Sequence, residues 1–124
     1  MICSGIYTAL ITPFDANGNL DEEGFALSID LQKKAGVDGI LVLGSTGEAS
    51  TLSFDEKNRV IQLARNSCGP LSLMVGCGSN STTQTIENIN AAACLGADSV
   101  LVVTPFYNRP TKTGLLNHFL NIAK

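Results

Sequence analysis

Apolar residues gather in four short, nearly continuous runs: Ile6–Ile11, Gly39–Leu43, Leu71–Val75 and Ser99–Val103. Each run ends at a breaker, respectively Thr12-Pro13, Gly44, Gly76 and Thr104-Pro105. Apolar residues on successive rather than alternate positions predict strands buried on both faces, as in a parallel sheet. Helical spacing fills the intervals. Asp21-Glu22-Glu23 opens the first helix with acidic residues, where the helix dipole favours them. Its apolar positions Phe25, Ile29 and Leu31 lead to a stop at Ala35-Gly36. Ser53-Phe54-Asp55-Glu56 has capping-box spacing. It opens a second helix with Val60, Ile61 and Leu63 on one face, ending near Cys68-Gly69-Pro70. Ser81-Thr82-Thr83 caps a third, with Ile86, Ile89, Ala93 and Leu95 predicted buried and Gly96 as terminator. A fourth begins near Thr111 and carries Leu115, Leu116, Phe119 and Ile122.

The predicted order is β-α-β-α-β-α-β-α. An internal echo supports it. Ala35-Gly36-Val37-Asp38, followed by an apolar run, recurs sixty residues on as Leu95-Gly96-Ala97-Asp98. A βα repeat of this length fits an open doubly wound sheet or half of a (β/α)8 barrel. A whole barrel takes about 250 residues, so in the second case the 124 residues here would be a single half-barrel unit over 1–124.

Composition narrows the function. Hydrophobic residues are 44% and charged residues 15% of the chain, which is an ordinary globular balance. The formal net charge is −3, and Lys33-Lys34 is the one place where basic residues adjoin. That pattern argues against nucleic acid as a partner. No apolar run approaches the roughly 18 residues of a membrane span. The start of the chain, Met1-Ile2-Cys3-Ser4-Gly5, lacks the basic segment of a secretory signal. Cys3, Cys68, Cys77 and Cys94 form no C-x-x-C pair, and the single histidine, His118, is distant in sequence. They predict reduced, mostly buried thiols in a cytoplasmic protein rather than a disulfide framework or a zinc site.

Ligands gather at the carboxyl ends of strands in both candidate folds. After the second run comes Gly44-Ser45-Thr46-Gly47-Glu48. Its glycines permit a sharp turn with exposed N–H groups, and its hydroxyls complete a pocket for a carboxylate or phosphate. A plain turn leading to the capped helix is the other reading. It is not a P-loop, because no lysine follows the glycine. After the third run, Gly76-Cys77-Gly78-Ser79-Asn80-Ser81 has serine where a dinucleotide fingerprint needs its third glycine, so a tight turn is predicted. After the fourth, Phe106, Tyr107 and Arg109 stand between Pro105 and Pro110. That is a stiffened surface loop whose tyrosine is able to relay protons.

These loops together resemble the pyruvate-dependent class I aldolases of the dihydrodipicolinate synthase and N-acetylneuraminate lyase family. The match is carried by Thr8-Ala9-Leu10-Ile11-Thr12-Pro13-Phe14 with Gly18, Gly44-Ser45-Thr46-Gly47-Glu48, Gly76-Cys77-Gly78-Ser79-Asn80, and Thr104-Pro105-Phe106-Tyr107-Asn108-Arg109-Pro110. Thr111, Gly114 and His118-Phe119 look like the dihydrodipicolinate synthase branch. The resemblance implies a (β/α)8 barrel of which this chain covers the first half. It implies condensation of pyruvate with L-aspartate 4-semialdehyde through a lysine Schiff base, in diaminopimelate and lysine biosynthesis. The iminium is the electron sink, so no metal or other cofactor is required. Ser45 would join a proton-relaying hydroxyl chain, and Thr46 would bind the pyruvate carboxylate with backbone N–H groups. Tyr107 would belong to the same relay, reaching across a dimer interface within a homotetramer.

The sequence departs from the family in places. Serine at 45 replaces the usual threonine and loses the methyl that fixes its rotamer. The Schiff-base lysine, a second relay tyrosine and the arginine that receives the semialdehyde belong to the family's second half. Lys33, Lys34, Lys57, Lys112 and Lys124 all fall on predicted helices, away from the strand ends, and read as solvated surface, so the chain alone is expected to be inactive. Positions matching the family's lysine-effector site are Ala49, Ser50, Lys57, Asn80, Gln84 and Phe106. Here glutamine and phenylalanine replace glutamate and tyrosine, so effector binding is expected to be weak. The alternatives are a sister aldolase such as an N-acetylneuraminate lyase, or a non-catalytic half-barrel that binds a small carboxylate.

Overall fold

The computed structural model describes residues 4–124. Cys3 and the leader reading of the first residues fall outside them. The elements run β1 (Tyr7–Ala9), α1 (Glu22–Ala35), β2 (Gly39–Val42), α2 (Phe54–Cys68), β3 (Ser72–Gly76), α3 (Thr82–Cys94), β4 (Ser99–Leu101) and α4 (Lys112–Ile122). Every predicted element is present. The strands form one sheet in the order β1-β2-β3-β4, all pairs parallel.

That order decides between the two candidate architectures. Right-handed crossovers that always step the same way leave every helix on one face of the sheet. A doubly wound sheet requires a reversal, and there is none. Ile40, Val42, Leu73 and Val75 are at most 1% exposed, clustered with Phe25 and Ile29 of α1, Val60, Ile61 and Ala64 of α2, and Ala92 of α3.

Burial on both faces is therefore not what the structure shows. Ala9, Leu41, Leu101 and Val103 line an open cavity, whose wall also includes residues of α2 and α3. Leu101 and Val103 are 40% and 50% exposed. One face of the strands packs on helices while the other is left open. They are also shorter than predicted. Ile6 and Ile11 flank β1 and are largely exposed.

The helix boundaries follow the sequence closely. Asp21 accepts from the Gly24 amide, and Gly36 ends α1 in the left-handed region at φ 73°. The capping box forms as predicted, with the Glu56 amide donating to Ser53 Oγ and the Ser53 amide donating to Glu56 Oε2 at 2.7 Å. Ser81 and Thr111 are the caps of α3 and α4.

Some buried faces differ from the predicted ones. Leu31 is exposed because it lies two residues past Ile29, on the opposite side of the helix. In α3 the buried positions are Thr85 and Ala92, while Ile86, Ile89 and Leu95 are half-buried and Ala93 is exposed. The α3 face is centred one position away from the assumed stripe. In α4 only His118 is buried, its Nδ1 lying 2.8 Å from Thr82 Oγ1, and Leu116 is exposed. Cys68 and Cys77 are buried free thiols, but Cys94 is exposed at the end of α3. Among the described residues no helix is long and apolar enough to cross a membrane.

The sequence echo is a structural repeat. Asp38 donates its amide to the Ile6 carbonyl at 2.9 Å and accepts the Ile6 amide on Oδ2 at 2.7 Å. Asp98 does the same to Leu73, at 2.9 and 2.8 Å. Each aspartate latches the start of its own strand to the strand before it. Asp98 also receives Arg65 Nη1 at 3.0 Å.

The two latches should differ in cost. Leu73 is fully buried, so Asp98→Ala strands its amide without water, whereas Ile6 is 69% exposed and is resolvated. Chemical denaturation should show Asp98→Ala destabilising the fold by about 1–3 kcal/mol. Asp38→Ala should cost under about 1 kcal/mol. Equal losses would contradict this account.

Candidate active site

The loops at the carboxyl ends of β2, β3 and β4 surround the mouth of a cavity of about 630 Å³. Ser45, Thr46, Gly76, Gly78 and Phe106 line it, and so does Lys57 from α2.

The β2 loop is the most constrained. Leu43 and Glu48, at its two ends, are non-glycine residues in the left-handed region at φ 56° and 53°. Between them run two overlapping turns, Gly47 N–H to Gly44 O and Glu48 N–H to Ser45 O, both 3.1 Å. Ser45 and Thr46 sit exposed within these turns. Among the described residues their amides and hydroxyls donate to no protein group. Adjacent free N–H groups with flanking hydroxyls form a cradle for a small anion. The amides of the two central residues are free in any turn of this kind, so the carboxylate reading leans on the two hydroxyls and on the place of Ser45 and Thr46 in the cavity wall.

β3 holds the loop from below. A Cβ on Gly76 would collide with the Leu43 carbonyl. Only glycine lets β3 pass under the strained Leu43 peptide. The turn beyond it satisfies itself. Cys77 donates its amide to Leu101 O at 3.0 Å, and Asn88 Nδ2 donates to Cys77 O at 3.1 Å. Ser79 donates its amide to Thr85 Oγ1 at 3.1 Å, and Ser81 caps α3. It is the tight turn the sequence predicts. Burial pushes the Cys77 thiol up to about 12, so it lines the cavity as a neutral group.

The β4 loop carries Tyr107 outward. It is 96% exposed, in the left-handed region at φ 71°. Arg109 shares that region at φ 45°, and Asn108 Nδ2 donates to Asn80 O at 3.2 Å. The structure therefore brings Ser45 and Thr46 to one cavity wall but leaves Tyr107 outside that wall.

Lys57 corrects the expectation that every lysine is remote from the strand ends. It is half-buried and lines the cavity beside Phe54 and Asn58. The signal was available, since Phe54, Asn58 and Ile61 repeat at helical spacing on the same α2 face. Ala49, Ser50, Gln84 and Phe106 share the cavity with it, and Asn80 does not. Gln84 Nε2 is turned back onto its own helix, donating to Glu87 Oε2 at 3.1 Å and Asn88 Oδ1 at 3.2 Å.

The close passage at Gly76 is directly testable. Gly76→Ala should destabilise the fold by about 1–3 kcal/mol in thermal or denaturant unfolding. The neighbouring change Gly44→Ala meets only the Leu41 side chain, at 3.4 Å or beyond, and should cost less. Equal tolerance at both sites would refute the packing argument.

Comparison with known proteins agrees with this fold. The model of the Dihydrodipicolinate synthetase family matches residues 2–124. A 4-hydroxy-tetrahydrodipicolinate synthase from Protochlamydia amoebophila is 49% identical over 120 residues, covering 96% of this chain and 40% of the relative. The 4-hydroxy-tetrahydrodipicolinate synthase structure from Methylacidiphilum fumariolicum SolV superposes with a TM-score of 0.94 at 39% identity, over 98% of this chain and 41% of that one. A dihydrodipicolinate synthase from Acinetobacter baumannii complexed with pyruvate gives a TM-score of 0.91 at 39% identity, over 96% and 41%. The chain spans about 40% of the length of the curated relatives it matches. A one-directional parallel sheet, a strained hydroxyl loop at its carboxyl edge and a match along nearly every residue converge: the chain belongs to the dihydrodipicolinate synthetase family, with the fold of the first four βα units of its (β/α)8 barrel.

Proposed function

We propose that this chain forms the pyruvate-binding half of a class I aldolase that condenses pyruvate with L-aspartate 4-semialdehyde, on the diaminopimelate route to lysine. The observation that carries the proposal is the Ser45–Thr46 pair, whose free amides and hydroxyls stand at the wall of the cavity. In this reading the Thr46 hydroxyl and the two amides hold the pyruvate carboxylate. Ser45 passes protons along a hydroxyl relay. Tyr107, held clear of its own cavity, enters the relay of a neighbouring subunit in a dimer of dimers.

A lysine amine supplied by protein sequence beyond Lys124 would attack the pyruvate carbonyl and expel water, giving an iminium. Loss of a methyl proton gives the enamine, whose carbon attacks the aldehyde, and the relay returns a proton to the new alkoxide. The lysines described here do not fill that role. Lys33 pairs with Asp30 at 2.6 Å, Lys124 donates to Asn121 at 3.1 Å, and Lys57 is on a helix outside the strands. We place the enzyme in the cytoplasm, in line with its free thiols.

Borohydride trapping tests this reading. Protein purified from its native source and treated with pyruvate and borohydride should gain one reduced pyruvyl adduct by intact mass. Thr46→Val should slow adduct formation by about 10- to 100-fold at low pyruvate, since it removes a donor from the carboxylate. Protein that remains unmodified, or a Thr46→Val variant that is trapped at the parental rate, would contradict it.

Effector sensitivity follows from the same cavity. Gln84 offers no anion to an ammonium group and is engaged on its own helix. The active enzyme should therefore respond weakly to L-lysine. Half-inhibition at sub-millimolar L-lysine in a steady-state assay would refute this.

A further inference from the structure

The Thr12-Pro13 pair after β1 ends a strand, but Thr12 also reaches a different part of the chain. It is 7% exposed, and its hydroxyl donates to the Gly47 carbonyl at 2.8 Å. We infer that Thr12 is a positioning residue: this one hydrogen bond holds the Gly44–Glu48 loop in the form that presents the Ser45 and Thr46 amides to a carboxylate. The inference rests on the carboxylate reading of that loop.

The loop does not hold itself. Left-handed backbone at Leu43 and at Glu48 is strained for residues with a Cβ, and such strain persists only where the surroundings over-determine it. Internally the loop has only two turn bonds of 3.1 Å. Thr12 acts on the second of them through peptide geometry. The Gly47 carbonyl and the Glu48 N–H belong to one planar group. Fixing the carbonyl toward Thr12 aims the Glu48 N–H at Ser45 O, and that bond closes the turn around Thr46 and Gly47.

The contact is direct and dry. A Cβ on Gly47 would lie 3.1 Å from Leu10 O and 3.3 Å from Thr12 Oγ1, so the loop is seated on the end of β1. Thr12 is also stiff. Its branched Cβ limits χ1, and the following proline fixes the backbone. The Pro13 carbonyl is anchored in turn by the Asp21 amide at 2.9 Å. The loop is thus clamped from β1 by Thr12 and supported from β3 by the close passage at Gly76.

Amide exchange and a pyruvate titration, both followed by NMR on the full-length protein, test the clamp. Thr12→Val keeps the shape of the side chain but leaves the Gly47 carbonyl buried and unpaired. Exchange at the Glu48 amide should rise about tenfold, the equivalent of one lost hydrogen bond. The Leu73 and Val75 amides should not change, and Thr12→Ser should return Glu48 to near the parental rate. With pyruvate as the probe, the half-saturation of the Ser45 and Thr46 amide shifts should rise by a similar factor in Thr12→Val and recover in Thr12→Ser. Thr12→Ala, which admits water to the Gly47 carbonyl, carries the same expectation if the valine variant does not fold. Parental Glu48 exchange in Thr12→Val, or a serine variant as impaired as the valine one, would overturn the inference. Failure of the parental protein to respond to pyruvate would instead refute the carboxylate reading, with the exchange rates still deciding the clamp.

Discussion

Four parallel strands in unbroken chain order impose one constraint from which the rest of the molecule follows. Right-handed crossovers that always step the same way put every helix on one side. The helix side becomes a dry core around Ile40, Val42, Leu73 and Val75. The other side holds no helix, so apolar residues such as Leu101 are left open there. Strand direction then gathers the loops after β2, β3 and β4 at one end of the sheet, where Ser45, Thr46 and Phe106 line the cavity. Fold and site are one geometric fact seen from two sides.

Precision at the site comes from contacts between neighbouring units rather than from any single loop. Asp38 and Asp98 latch successive strands at their amino ends. At the carboxyl ends, Gly76 allows β3 to pass beneath the Leu43 carbonyl, and Thr12 of the first unit grips Gly47 of the second. The strained residues Leu43 and Glu48 lie between these two supports. Strain held this way fixes the directions of the Ser45 and Thr46 amides, so in the proposed carboxylate site binding would not have to organise the loop. Preorganised donors of this kind are what a carboxylate site and a developing alkoxide both need.

Much of this was legible in the sequence, and the exceptions have a common cause. Caps, breakers and the Gly-x-x-x-Glu loop are local signals, and each produced the element it predicted, down to both bonds of the Ser53–Glu56 box. The Asp38 and Asp98 echo was visible as a repeat, although its function as a latch was not. Residues whose environment depends on distant neighbours were harder to read. Strands apolar on both faces look the same whether the second face meets helices or a barrel interior. Leu31 and Ala93 are apolar but belong to faces that no neighbour covers. Lys57 looked like solvated helix surface when taken alone, although it shares an α2 face with Phe54, Asn58 and Ile61 that meets the cavity. The Thr12 bond spans thirty-five residues and leaves no trace in local pattern.

The most direct test of the central claim is a crystal structure of the protein from its native source with pyruvate trapped in place. The account predicts the pyruvate carboxylate within hydrogen-bond distance of the Ser45 and Thr46 amides, with the Thr46 hydroxyl as a further donor and the loop unchanged from its present form. A carboxylate bound elsewhere, or a Gly44–Glu48 loop that rearranges to accept it, would contradict the account.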